Sequence, residues 1–186
     1  MLYPLKFTPI FKERIWGGEM LNVKLDKFIP AEVLTGESWE ISGVEGDLSV
    51  VENGFLKGND IQEIAETYMG DLVGESVYRK FGSGFPLLIK FIDAQQTLSI
   101  QVHPNDALAE ERHGCAGKNE MWYVVDAGEE AVLYIGFKAG VTKEQYLESL
   151  KKGNVDTLLN RIPVKKGDIY FIPAGTVHAI GAEVLI

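Results

Sequence analysis

Along most of the chain, apolar and polar residues alternate over short runs that end in glycine or proline. This is the pattern of strands joined by turns. Residues 46–54 predict a strand ending in an Asn53-Gly54 turn. Further strands are predicted over residues 86–92, 98–103, 121–125, 132–137 and 168–172, and the apolar stretch 183–186 reads as one more. Predicted helices are few. Asn59 or Asp60 can cap a helix through about Tyr68, with Gly70 as its stop, and residues 107–113 can form a short helix closed by Gly114. The clearest covers residues 143–152, where Thr142 stands three residues before Gln145 in a capping-box pattern and Gly153 ends the helix. Asn154 can cap another through Asn160. These last two helices lie between strand blocks, so residues 141–160 read as a helical insertion in a mainly β, single-domain chain of residues 1–186.

The alternation carries chemistry in residues 98–103. Leu98, Ile100 and Val102 are predicted to share one strand face, and Ser99, Gln101 and His103 the other. Gln101 and His103 would then project side by side and could hold one metal ion between them. Glu120 opens the next strand, on the same face as Trp122 and Val124. In the segment 167–178, a Gly167-Asp168 turn feeds a strand, and a second turn with Pro173 and Gly175 aims His178. Two histidines, a glutamate and an amide oxygen suit zinc or another divalent ion, with room for water or substrate. Each piece has an ordinary alternative: a packed histidine, a solvated strand-end glutamate, a glutamine bridging backbone groups. Together they favour a metal site. His113, after the charged run 110–112, reads as surface.

Composition narrows the partners. The 186 residues are 46% hydrophobic and 24% charged, the balance of a globular domain. No apolar run approaches the length of a membrane span, and the first residues lack the features of a secretory signal. A lone cysteine, Cys115, cannot form an internal disulfide, which points to a reducing, cytoplasmic setting. A formal net charge of −9 argues against nucleic acid as a partner and leaves room for a small phosphorylated ligand beside a few lysines.

The segment 167–178 matches the second cupin motif, Gly-X5-Pro-X-Gly-X2-His, at every fixed position, with Ala182 where an asparagine usually follows. In the first cupin motif the usual His-X-His is Gln101-Val102-His103, and its glutamate is delayed to Glu120. Residues 98–106 and 117–123 in this form resemble the type I phosphomannose isomerases, as do Trp16-Gly17-Gly18, residues 36–42 and residues 172–180. The resemblance runs from about Trp16 to the end of the chain. It implies a cupin (jelly-roll) β-barrel and zinc held by Gln101, His103, Glu120 and His178. The implied reaction is the interconversion of mannose 6-phosphate and fructose 6-phosphate, with Trp16, Glu37, Lys90, Ser99 and Lys118 lining the substrate cleft. The family also carries an arginine downstream of the second histidine motif. Arg161 lies upstream and does not match it. The sequence ends at Ile186, midway through a strand-like pattern, so a longer natural protein with a carboxyl-terminal domain is expected, and residues 1–186 alone are expected to catalyse poorly or not at all.

Aldose–ketose isomerisation needs a base beside the carbon and a cation near the developing oxyanion. Lys118, two residues from Glu120, is the candidate base. Pairing with the sugar phosphate is its competing role. Lys90 and Ser99 suit phosphate by type, as a point charge and a hydroxyl donor. Lys90 could equally guard a sheet edge, and Glu37, Trp39 and Trp16 have ordinary readings as an edge carboxylate and core aromatics. Since a cupin fold fixes no function, two rivals stay open: a non-catalytic sugar-phosphate-binding cupin, and another metal-dependent cupin enzyme such as an iron-dependent dioxygenase.

Overall fold

The computed structural model describes residues 2–30 and 32–186. Among the described residues ten strands and six α-helices follow in the order β1 (Ile10–Gly18), α1 (Met20–Leu25), β2 (Thr35–Ser42), α2 (Ile61–Tyr68), α3 (Gly70–Val73), α4 (Glu75–Phe81), β3 (Leu88–Ala94), α5 (Asp106–His113), β4 (Glu120–Tyr123), β5 (Asp126–Ala127), β6 (Val132–Phe137), α6 (Lys143–Lys152), β7 (Leu159–Pro163), β8 (Ile169–Ile172), β9 (His178–Ile180) and β10 (Val184–Leu185). They fall into two compact units, one of Met1–Ile15 with Leu21–Ile92, the other of Trp16–Met20 with Asp93–Ile186.

In the first unit β2 and β3 pair antiparallel, with Glu37 opposite Ile92 and Trp39 opposite Lys90, and the register shifts between Trp39 and Ile41. A core of Val51, Leu56 and Ile64 packs against Tyr3, Leu5, Phe7, Tyr68 and Leu72. Helix α2 begins where expected. Asp60 accepts from the Glu63 N–H while the Glu63 side chain accepts from the Asp60 N–H. Residues 46–54 differ from expectation. Only isolated bridges form there, Phe7 with Val51 and Val50 with Asp60. Gly54 opens a 3-10 turn (Gly54–Leu56) rather than a hairpin. Its φ is +65° and a Cβ there would sit 2.3 Å from the Tyr3 ring, so only glycine fits. Helices α3 and α4 were not expected. Gly70 closes nothing; a short turn of helix runs to Gly74, and another runs from Glu75 to Gly82. Neither buries a residue, so neither leaves an apolar period to read.

In the second unit β4 pairs with β8, setting Glu120 opposite Ile172 and Trp122 opposite Tyr170. The alternation is sharp: Trp122 and Ile172 are buried, while Met121 and Phe171 are exposed. Strand β6 is central in a second sheet, between β7 and β9. The β6–β7 connection holds the predicted insertion: α6 begins with the Thr142–Gln145 capping box and ends at Gly153 in a left-handed conformation. The second helix expected there is a 3-10 turn, Val155–Leu158, and β7 follows at Leu159. Strand β10 lies between β5 and the Asp93-Ala94 end of β3. Val124, Leu133, Leu159, Ile172, Val184 and Leu185 form the buried interior of this unit.

The segment 98–103 corrects its own pattern. Leu98 N–H donates to the Ile180 carbonyl, and Gln101 and His178 exchange both backbone bonds. The chain therefore advances three positions from Leu98 to Gln101 while its partner covers only the two from Ile180 to His178. One extra residue is accommodated, as in a β-bulge. Leu98 stays buried, but Ile100 and Val102 are exposed rather than sharing its apolar face.

Candidate metal centre

Four backbone devices in the second unit bring its candidate residues together. Gln101 and His178 stand directly opposite in an antiparallel bridge, which puts their side chains on one face. The Pro173–Thr176 turn, closed by the Thr176 N–H on the Pro173 carbonyl, is pinned at Gly175, whose N–H donates to the His103 carbonyl (2.7 Å). The Asn119 side chain accepts from the Ala174 N–H at 2.9 Å and ties the same turn to the residue before Glu120. The loop before Glu120 folds back onto residues 104–106: Lys118 N–H donates to the Pro104 carbonyl and Gly117 N–H to Asp106 Oδ1. A Cβ at Gly117 would lie 2.4 Å from the backbone of Asn105 and Asp106, so this return requires glycine.

The result is a convergent donor set. Ligand atoms of His103, Glu120 and His178 lie within 4.8 Å of one another. Glu120 Oε1 stands 3.2 Å from His103 Nε2, and Glu120 Oε2 stands 3.6 Å from His178 Nε2. His178 is buried, and its Nδ1 lies 2.8 Å from the Thr176 carbonyl. A carbonyl only accepts, so Nδ1 carries the proton, and Nε2, on the carboxylate side, is the atom left to bind a metal. Lys118 Nζ donates to Glu120 Oε1 at 2.5 Å and lies 3.3 Å from His103 Nε2. Trp122 Nε1 donates to Glu120 Oε2 at 3.1 Å, and its ring stands edge-on to His178, 5.3 Å between centroids.

Protonation favours ligation. Burial pushes the Glu120 carboxyl up, but the hydrogen bond and charge of Lys118, aided by the two histidines, hold it below its ordinary value. Burial and the Lys118 charge lower His103, against the opposing pull of Glu120. An anionic glutamate and a neutral imidazole are the forms a metal ion binds. The set fits a divalent metal: two imidazoles and a carboxylate from three separate segments, with one imidazole oriented by a backbone carbonyl and the amide side chain of Gln101 on the same face as His178.

Of the other expected residues, Trp16 and Ser99 belong to this unit. The Trp16 carbonyl accepts from the N–H groups of Gln95 and Gln96, and Ser99 is exposed. Glu37 and Lys90 meet in the first unit. Buried Glu37 accepts from Lys90 Nζ (3.0 Å) and Trp39 Nε1 (2.6 Å) on one oxygen and from Arg14 Nε (3.1 Å) on the other. Sequence reading missed Arg14, Asn119 and the hydrogen bonds of Trp39 and Trp122. The repeated Glu-X-Trp of residues 37–39 and 120–122 was the available signal, because residues two apart on a strand share a face.

A strand-rich chain with a His/Glu/His candidate metal site and a lysine on its carboxylate is the class that fold and site define. The profile of the phosphomannose isomerase type I catalytic domain matches residues 4–138. Mannose-6-phosphate isomerase ManA of Bacillus subtilis is 42% identical over 98% of this chain and 56% of its own length. A crystal structure of the Bacillus subtilis mannose 6-phosphate isomerase superposes with a TM-score of 0.86 at 38% identity, over 98% of this chain and 56% of that one. A zinc-bound holo structure of a mannose 6-phosphate isomerase shares the fold at TM-score 0.73 and 17% identity, over 97% of this chain and 66% of that one. The chain belongs to the type I phosphomannose isomerase family. It spans a little over half the length of the curated relatives it matches. Among the described residues, no helix is long and apolar enough to cross a membrane.

Proposed function

We propose that this chain carries the metal site of an isomerase that interconverts mannose 6-phosphate and fructose 6-phosphate. The observation behind the reading is the meeting of His103, Glu120 and His178, with Lys118 on the same carboxylate, in a chain of this family. Zinc is the proposed ion, with Gln101, His103, Glu120 and His178 as its ligands. When bound, it would supply Lewis-acid stabilisation of negative charge on the sugar oxygens. The protein's own groups do the rest. As the neutral amine, Lys118 takes the proton from C2 of the aldose, leaving an enediolate, and returns it at C1. The hydroxyl proton passes from O2 to O1, so the ketose forms with no net change in atoms or electrons. Lys118 is half-exposed beside Glu120, which suits a group that must reach a substrate and still be held between turnovers.

Trp16, Ser99, Glu37 and Lys90 are the proposed substrate contacts, supported by the family's sequence pattern. Ser99, as a hydroxyl donor, and Lys90, as a point charge, suit the phosphate. The cupin barrel belongs to the same proposal, supported by the antiparallel pairs β4–β8 and β6–β9 on either side of the Pro173–Thr176 turn.

A coupled assay of fructose 6-phosphate formation from mannose 6-phosphate tests this reading. It is run on the full-length natural protein after chelator treatment and again after zinc is restored. Loss and recovery of turnover are expected. A folded, zinc-loaded protein that binds the sugar phosphate without converting it would contradict isomerase activity and favour a sugar-phosphate-binding cupin.

A further inference from the structure

The metal candidate depends on a carboxylate with two oxygens and a soft terminal torsion. Something must decide which oxygen faces which imidazole. Glu120 and Trp122 lie two apart on β4, so their side chains share a face. Trp122 is only 7% exposed, and a buried indole N–H needs an acceptor. It donates to Glu120 Oε2 at 3.1 Å, the oxygen facing His178 Nε2, while Oε1 faces His103 Nε2. The same indole stands edge-on to His178, with ring planes at 82°.

We propose that Trp122 is a positioning residue of the metal site: its indole N–H sets the rotation of the Glu120 carboxylate and its ring, in a T-shaped pair, braces His178. The inference rests on the metal reading above. One buried side chain thereby orients two of the proposed ligands, Glu120 on β4 and His178 on β9. Lys118 also donates to the carboxylate, but it is half-exposed on a flexible stem and can leave, whereas the indole cannot move without repacking the interior. Outer partners of metal ligands carry roughly 10–100-fold in metal affinity.

The test compares zinc affinity of the full-length protein and its Trp122→Phe variant, by competition with a chromophoric chelator, and the visible absorption of their cobalt(II) forms. The phenyl ring keeps most of the packing and loses the donor. A zinc affinity lower by roughly 10–100-fold, with an altered cobalt spectrum, is expected. A merely structural role would lower thermal stability and leave the cobalt spectrum of the folded fraction unchanged, and that result would overturn the proposal. Should the variant fail to fold, the wild type answers instead. Its three indole N–H signals can be assigned by Trp16→Phe and Trp39→Phe, and the Trp122 signal must shift on zinc saturation. A Trp122 signal unmoved by zinc overturns the proposal. Wild type that binds no zinc overturns the metal reading itself, which separates the two failures.

Discussion

Two strands of this chain carry the same short device, Glu-X-Trp with a lysine, and put it to different ends. In the first unit Glu37 is buried and accepts from Trp39, Lys90 and Arg14. In the second, Glu120 accepts from Trp122 and Lys118, and its remaining neighbours are the imidazoles of His103 and His178. The indole bond to one oxygen two residues back is common to both. The companions differ. Arginine and lysine offer only donors, so Glu37 is held in ion pairs and fixes the cations around it, the proposed phosphate contact Lys90 among them. Neutral imidazoles offer lone pairs, so the Glu120 cluster can converge on a cation. A carboxylate's neighbours, more than its burial, decide between structural pairing and metal ligation.

The largest effect expected from breaking this contrast is at His178. Replacing it with alanine removes a proposed ligand outright and should lower zinc affinity by more than the roughly 100-fold that outer partners can carry. Trp39→Phe, the mirror of Trp122→Phe, should leave zinc affinity unchanged within about twofold. Equal losses for the two tryptophan variants in chelator competition would erase the distinction drawn here.

Glu37→Gln comes next. It leaves Lys90 and Arg14 facing a neutral amide and should cost about 1.5–3 kcal/mol in urea denaturation, the worth of hydrogen bonds to a charged group. The pH dependence sharpens the point. Burial pushes the Glu37 carboxyl up, but the Trp39 hydrogen bond and the Lys90 and Arg14 charges overcome it and hold the group below its ordinary value. A depressed carboxyl stabilises the fold above its unfolded pKa of about 4.3, and that contribution is lost as pH falls through the folded value. The stability gap between wild type and Glu37→Gln should therefore be constant near neutral pH and shrink below about pH 4. A gap that widens in acid would contradict the ion-pair account. The smallest effect is expected for Asn119→Ala, which frees the Ala174 N–H and should cost about 1 kcal/mol, with a drop of a few-fold in zinc affinity.

Much of this was legible before any coordinates. The capped helix of residues 143–152 and the strand of residues 132–137 appear where their patterns placed them, because caps and alternation are local signals. Gln101, His103, Glu120 and His178 were named from residue types and spacing, and Gln101 does stand opposite His178. The extra residue between Leu98 and Gln101 was not legible, since a bulge is fixed by the partner strand rather than by its own sequence. The tie from Asn119 to the Pro173–Thr176 turn spans distant parts of the chain and leaves no local trace. The short helices after Gly70 were missed because neither buries a residue fully and both are too short to show an apolar period.

The central claim is that His103, Glu120 and His178 form a metal centre. Anomalous diffraction at the zinc edge, from crystals grown with one equivalent of zinc, tests it most directly. The account predicts one anomalous peak in contact with His103 Nε2, the Glu120 carboxylate and His178 Nε2, with Gln101 beside it. Zinc bound elsewhere, with these three side chains left free of it, would contradict the claim.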